Sequence, residues 1–475
     1  MKRIFVLLLT FMLLTTVGGA ARGNASMVPA STSSRAMQNY QGPLAPPASG
    51  YGRWGEYGIS EPDSFSVQSQ GYANPVTVYF PQGVTSPAPV IFLAPGWEIP
   101  CDAYAQLLRF LTSRGYVSVC AVYHTDTAII GAQLYDDFSA AVARYPDRID
   151  ASQFGLAGHS SGAGLLPSLS YRLVRENGWG DEGKFIFSSA PWIDFDIDDA
   201  MLQDYPTDMK FILQTYEDDK GTDLRTYIQQ FEELPIPDTE KEYITLREVT
   251  IDGYHYAADH RVTASGEGGY GVWDAMDYYG VYRLIAALAD YAFEGSAEGK
   301  RVALGDGNEE QVDMGPLRDL ISTDDPRPIP GESYDYPCDV ESNPHKDHCA
   351  DFDHELPAAV LLSPWKHVPL TVESPEFRWE TVPTATTYFL QVRPLLPDGD
   401  PDWSVSYGES AAAAAAGCED GGQACSFQLS ASLPGGSYVW WIKAYSAEKE
   451  GVWSRRGYFQ IATNDHTLFL PLVAR

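Results

Sequence analysis

Positive charge is scarce in this chain. Its 475 residues carry 32 Lys and Arg against 64 Asp and Glu, a formal charge of −32 at pH 7. A field of that sign repels phosphate backbones and anionic lipid surfaces, so no nucleic acid partner is expected. Long apolar runs are also lacking. Beyond the first twenty residues none is long enough to cross a bilayer, so no membrane span is expected in the mature chain. Cysteine is sparse, at six residues: Cys101, Cys120, Cys338, Cys349, Cys418 and Cys425. The even number suggests disulfides, and sequence neighbours suggest Cys338–Cys349 and Cys418–Cys425, each closing a short polar loop. Cys101 and Cys120 would then tie a loop to a strand. A metal site is the competing arrangement near Cys349, where His345, His348 and His354 crowd together, but an oxidising compartment favours the disulfide. With 44% hydrophobic and 20% charged residues, the composition is globular and neither fibrous nor disordered.

The chain opens with an export address. Lys2 and Arg3 precede an uncharged, mostly apolar run from Ile4 to Val17, and Gly18-Gly19-Ala20-Ala21 supplies small residues for cleavage. A signal peptide over 1–21 and a secreted, extracellular protein are expected, with an uncleaved anchor as the alternative and a monomer as the default. Residues 22–55, rich in Ser, Ala, Pro and Gly, read as a disordered leader.

From 56 to 296 short apolar runs alternate with amphipathic stretches. Strands are expected at Pro89–Ala94, Val117–Tyr123, Gln153–Ala157, Lys184–Ser188 and Lys210–Thr215, and a further one at Arg247–Ile251. Helices are expected around Ala103–Arg114 and Gln133–Tyr145, from Ser161, and over Trp273–Phe293. The alternation argues for an α/β fold with a mostly parallel sheet flanked by helices. Residues 297–366, crowded with Asp, Glu, Pro and Gly, read as a loop-rich acidic appendage or linker. Over 367–464 period-2 runs at Phe377–Trp379, Tyr388–Val392 and Tyr438–Ala444 predict a small all-β sandwich domain, similar in spacing to a fibronectin type III module. The Ala411–Ala416 run reads as an inserted loop, and 465–475 as a C-terminal tail.

The chemistry centres on Gly158-His159-Ser160-Ser161-Gly162, a G-x-S-x-G match between an apolar strand and a helix start. Glycines on both sides permit a sharp strand-to-helix turn that lifts the Ser160 hydroxyl above a sheet. A nucleophilic serine needs a base, and the base needs an orienting acid. Tyr216-Glu217-Asp218-Asp219 follows a strand and offers Asp219, ahead of Asp218, as the acid. Asp252-Gly253-Tyr254-His255 then offers His255 as the base, with His260 its rival. His124 and His159 read as structural. The backbone N–H of Ser161, at the helix start, and that of Trp97, after Pro95-Gly96, are the candidate oxyanion donors.

These residues carry a resemblance. Ala94-Pro95-Gly96-Trp97, Leu111-Thr112-Ser113-Arg114-Gly115-Tyr116-Val117, the serine pentapeptide, Ala190-Pro191-Trp192, Glu217-Asp218-Asp219 and Gly253-Tyr254-His255 together resemble the α/β-hydrolase fold. Within it they look like the dienelactone-hydrolase-like branch that holds bacterial polyester hydrolases and cutinase-like esterases. The resemblance implies a serine carboxylic-ester hydrolase without a cofactor, with Trp97 and Trp192 flanking the acyl group. Ser161 stands where the polyester hydrolases usually carry methionine. The stretch Ile193–Asp208 has no counterpart in the family, and within it Asp194–Asp199 is a candidate Ca²⁺ site, although it lacks the glycine of a tight calcium loop. Two other readings are a lipase resembling platelet-activating-factor acetylhydrolase and a non-catalytic surface adhesion protein on a hydrolase scaffold. The partners expected are an ester substrate and, through the C-terminal module, a polymer or cell surface.

Overall fold

Val90, Phe92 and Ala94 lie in one apolar core, while Ile91 and Leu93, which point to the opposite face, are buried as completely. A strand covered on both faces reads as an unbroken apolar run rather than an alternating one, and this is the middle of a layered α/β sheet. The structure, a computed structural model, describes residues 40–462 apart from 86, 267, 269, 324–333, 339–342, 347–348, 350–355, 365–369, 397–400 and 419–423. The expected signal segment 1–21 and the tail 465–475 lie outside the described residues.

In chain order the sheet strands are β1 (Asp63–Ser69), β2 (Tyr72–Tyr79), β3 (Ala88–Ala94), β4 (Val117–Ala121), β5 (Ile149–His159), β6 (Gly183–Ser189), β7 (Lys210–Tyr216) and β8 (Lys241–Leu246). A hairpin, β9 (Val249–Ile251) with β10 (Tyr254–Tyr256), stands apart from them, and β11 (Ile321–Thr323) returns to the sheet edge. The nine-stranded order is β11-β8-β7-β6-β5-β3-β4-β2-β1. The six strands from β8 to β4 are parallel, and antiparallel strands close both margins. Helices α1 (Ala105–Ser113), α2 (Ile130–Arg144), α3 (Ser161–Gly164), α4 (Leu166–Arg175), α5 (Arg225–Glu233) and α6 (Arg283–Glu294) fill the connections.

Four expectations change. The strand expected at Arg247–Ile251 is the hairpin arm β9, and the sheet strand is β8. The β1–β2 hairpin was not anticipated. The stretch after 296 is more than loops: it holds helices at Ala297–Ala303 and Glu309–Val312 and supplies β11. Ala411 and Ala412 end a strand, and Ala411, Ala413 and Ala416 are buried, so the alanine run packs into a core.

The C-terminal region is all β. A three-stranded sheet, β12 (Leu361–Ser363), β13 (Glu376–Glu380) and β16 (Ala424–Gln428), shares one apolar core with a five-stranded sheet. The latter holds β14 (Thr387–Pro394), β15 (Tyr407–Ala412), β17 (Gly436–Tyr445), β18 (Glu450–Trp453) and β19 (Gly457–Ile461), all antiparallel. Phe377, Trp379, Tyr388 and Trp440 are its largest buried members. The disulfides are Cys101–Cys120, Cys338–Cys349 and Cys418–Cys425, the pairing expected. Cys349 is therefore not free to hold a metal, and His348 and His354 lie outside the described residues.

Candidate active site

The chain leaves β3 toward β4 on one side and leaves β5 toward β6 on the other, so the carboxyl ends of these neighbouring strands form a topological switch point. Open α/β sheets bind ligands at such a switch point. Two turns meet there, Pro95-Gly96-Trp97 after β3 and Ser160 after β5. Ser160 has φ 55° and ψ −125°, a conformation few non-glycine residues adopt. It is held from both sides, because its N–H donates to the Ser189 carbonyl and its carbonyl accepts from Trp192 N–H, each at 3.0 Å. A Cβ on Gly162 would lie 2.3 Å from the Pro95 carbonyl oxygen, and one on Gly158 would lie 2.7 Å from the Ala163 backbone. The flanking glycines are thus required by close approach.

The Ser160 hydroxyl lies 3.0 Å from His260 Nε2, and His260 Nδ1 lies 2.8 Å from Asp219 Oδ2. The second Asp219 oxygen accepts the Gly221 N–H at 2.7 Å. Asp219 is buried, whereas the His260 side chain is 26% exposed, so the imidazole runs from a closed acid toward solvent. Asp219 lies against a histidine, but that histidine is His260 and not His255: the structure sets His260 against Ser160.

The reason is local. Val249, Ile251, Tyr254 and Tyr256 alternate around Asp252-Gly253, whose φ angles of 51° and 80° make a tight hairpin turn. Strand alternation then buries Tyr256 and turns His255 outward, where it is 53% exposed and faces Glu248 and Thr250. The Asp-Gly pair between alternating apolar residues is a hairpin signal legible in the sequence, and it argues against His255 as a loop base. His260 lies past the hairpin, in a segment fastened to the acid loop where Asp218 N–H donates to the Ala258 carbonyl at 2.9 Å.

A second layer holds both turns, and in it His159 is structural while the sequence reading did not name Tyr104 or Tyr123. His159 is fully buried. Its Nε2–H donates to the His260 carbonyl at 2.6 Å, which leaves Nδ1 to accept the Tyr104 hydroxyl at 2.9 Å. The same hydroxyl accepts the Gly96 N–H at 2.9 Å. Burial and the neighbouring His260 push the His159 pKa down to about 3, so this ring stays neutral and serves as donor and acceptor at once. On the other side the Tyr123 hydroxyl donates to the Pro95 carbonyl at 2.7 Å and accepts from the Ser161 hydroxyl at 2.7 Å. The small, polar Ser161 therefore has a use, since it braces the turn that presents Trp97. Cys101–Cys120 fastens the helical turn Cys101–Tyr104 to β4, which places Tyr104.

Trp97 is 38% exposed and packs edge to face with Trp192, ring centres 6.1 Å apart. The Asp194–Asp199 stretch does not gather its carboxylates. Asp194 is buried and accepts from Ser168 N–H and hydroxyl and from the N–H groups of Asp196 and Ile197, while Asp198 caps a short helix through Met201 N–H. Among the described residues, Asp218, Glu248 and His255 bring ligand atoms within 4.8 Å of one another and could hold a cation, but two of them are exposed and such groups are common without an ion.

No family model matches this chain, and no curated protein matches it. Among solved structures it is similar to one of two esterases of the fungus Rhizomucor miehei, at 17% identity and TM-score 0.35, over 51% of this chain and 86% of that one. It is also similar to a Klebsiella pneumoniae protein assigned as a dienelactone hydrolase, at 14% identity and TM-score 0.31, over 44% of this chain and 94% of that one.

Proposed function

We propose that the chain is an exported serine hydrolase of the α/β-hydrolase type that cleaves carboxylic esters through an acyl-enzyme. The observation that carries this reading is the chain of contacts Ser160–His260–Asp219 at the carboxyl ends of the sheet strands. Ser160 Oγ attacks the ester carbonyl carbon as His260 Nε2 takes its proton. Asp219 accepts the Nδ1–H, fixes the tautomer and stabilises the imidazolium. Negative charge gathers on the former carbonyl oxygen, where the N–H groups of Ser161 and Trp97 are the donors. The first N–H of a helix has no intrahelical acceptor, so that of Ser161 is available. Collapse breaks the ester C–O bond, and His260 returns the proton to the leaving alkoxide. Water then attacks the acyl-serine, giving its proton to His260, and as the Oγ–C bond breaks His260 returns that proton to Ser160 Oγ and the carboxylic acid leaves. Trp97 and Trp192 flank the acyl group, and the C-terminal β region acts as an accessory module toward a polymer or surface.

The test is hydrolysis of nitrophenyl esters by the mature protein and three variants. Ser160→Ala and His260→Ala should each lower kcat by several orders of magnitude. His255→Ala should retain parental activity. Activity that survives Ser160→Ala, or that disappears in His255→Ala, would refute the assignment.

A further inference from the structure

The outer edge of the acid loop is not made by the sheet domain alone. Asp335 N–H donates to the Lys220 carbonyl at 2.7 Å, Tyr336 N–H to the Gly221 carbonyl at 3.1 Å, and Asp223 N–H to the Tyr336 carbonyl at 3.2 Å. A segment more than a hundred residues downstream thus runs as a short parallel partner beside Asp219–Asp223. It is secured again where Cys338 N–H donates to the buried Asp223 carboxylate at 2.9 Å, next to the Cys338–Cys349 bridge.

This anchoring fixes the Tyr336 backbone yet leaves its side chain 61% exposed. The ring centre lies 6.0 Å from that of Trp192, inclined by 60°. Trp192 in turn reaches Trp97 on one side and hydrogen-bonds the Ser160 backbone on the other. Trp97, Trp192 and Tyr336 therefore form a continuous aromatic row whose middle member is bonded to the Ser160 backbone and whose end lies on the appendage. Large aromatic surface left in water gains free energy when an apolar group covers it.

We propose that Tyr336 is a specificity-determining residue that extends the acyl cleft, so that esters with a long apolar acyl chain are preferred over short ones. The inference rests on the ester-hydrolase reading above. The test compares kcat/KM for nitrophenyl decanoate and nitrophenyl acetate in the parent, Tyr336→Ala and Tyr336→Phe. Tyr336→Ala should lower the decanoate-to-acetate ratio about tenfold, mainly through KM for decanoate, because one aromatic contact is lost. Tyr336→Phe should keep the parental ratio. A parent that hydrolyses acetate and a Tyr336→Ala variant with an unaltered ratio would overturn the role of Tyr336 alone. A parent that hydrolyses neither ester would overturn the ester-hydrolase reading and this inference with it.

Discussion

Burial decides what His159 does. A histidine in water changes charge near neutrality, but this one is held neutral down to about pH 3, so it is a fixed strut rather than a proton carrier. It spans from the Gly96 turn, through Tyr104, to the backbone of His260. His159→Phe keeps the ring and deletes both bonds. Its expected effect is a fall in kcat of up to about 10², the loss that misplacing a catalytic group by an ångström can cause, with the acid limb of the pH–rate profile unmoved. The stability effect has a definite sign. The folded pKa lies below the ordinary 6.5, so the unfolded chain binds the extra proton and native stability falls as pH drops from about 6.5 toward 3. Melting curves of parent and His159→Phe should therefore converge on acidification from pH 8 to pH 5. Curves that diverge would contradict the buried neutral ring.

At the scale of elements, α2 carries a charge that its position does not favour. Asp137 is buried against β2, where Asn74 donates to one oxygen at 3.0 Å, and burial raises its pKa to about 7. Here the folded state holds the proton more tightly than the unfolded one, so stability declines as pH rises from about 4 to 7. Asp137→Asn should stabilise the protein by about 1–3 kcal/mol at pH 8 and by little at pH 4, as read from urea unfolding at both values. The elements differ in how openly the sequence declares them. β3, β5, β6 and β7 are legible because each holds a buried apolar run, Val90–Ala94, Phe154–Ala157, Phe185–Phe187 and Phe211–Leu213. β8 is not, since Lys-Glu-Tyr-Ile-Thr-Leu places a carboxylate in the interior. Glu242 is buried there because Arg455, more than two hundred residues away, pairs with it while the Ser322 hydroxyl and the Asp306 N–H donate to it. The serine turn and the base both have local signals, of different reach. Gly158 and Gly162 signal a sharp bend within five residues, whereas the choice of His260 over His255 depends on a hairpin turning one of them outward.

For the whole molecule, that arginine is a rivet between its two halves. Arg455, just ahead of β19, is 8% exposed and reaches Glu242 on β8, Ser322 on β11 and Asp306. Arg247 and Arg318 reach back to Glu380 on β13, and Arg318 also pairs with Glu217, two residues before Asp219. The C-terminal β region is thus docked on the sheet domain through buried charge, and is not a loosely tethered spacer. Arg455→Met should cost about 3–5 kcal/mol because it strands the Glu242 carboxylate, and adding Glu242→Met should restore most of that loss. A double variant as unstable as the single one would show that packing rather than charge pairing holds the interface. The edge strand β11 and the pairing of Tyr336 with the acid loop bear on how the molecule is made. Synthesis runs from the N-terminus, and Ser160, Asp219 and His260 emerge well before the segment that borders them. A nascent chain still short of residue 336 already holds all three side chains but not the wall beside them, and one short of 455 has Glu242 without its counter-charge. The surroundings of the three side chains are therefore completed late in synthesis, so the sheet domain and the C-terminal β region mature together.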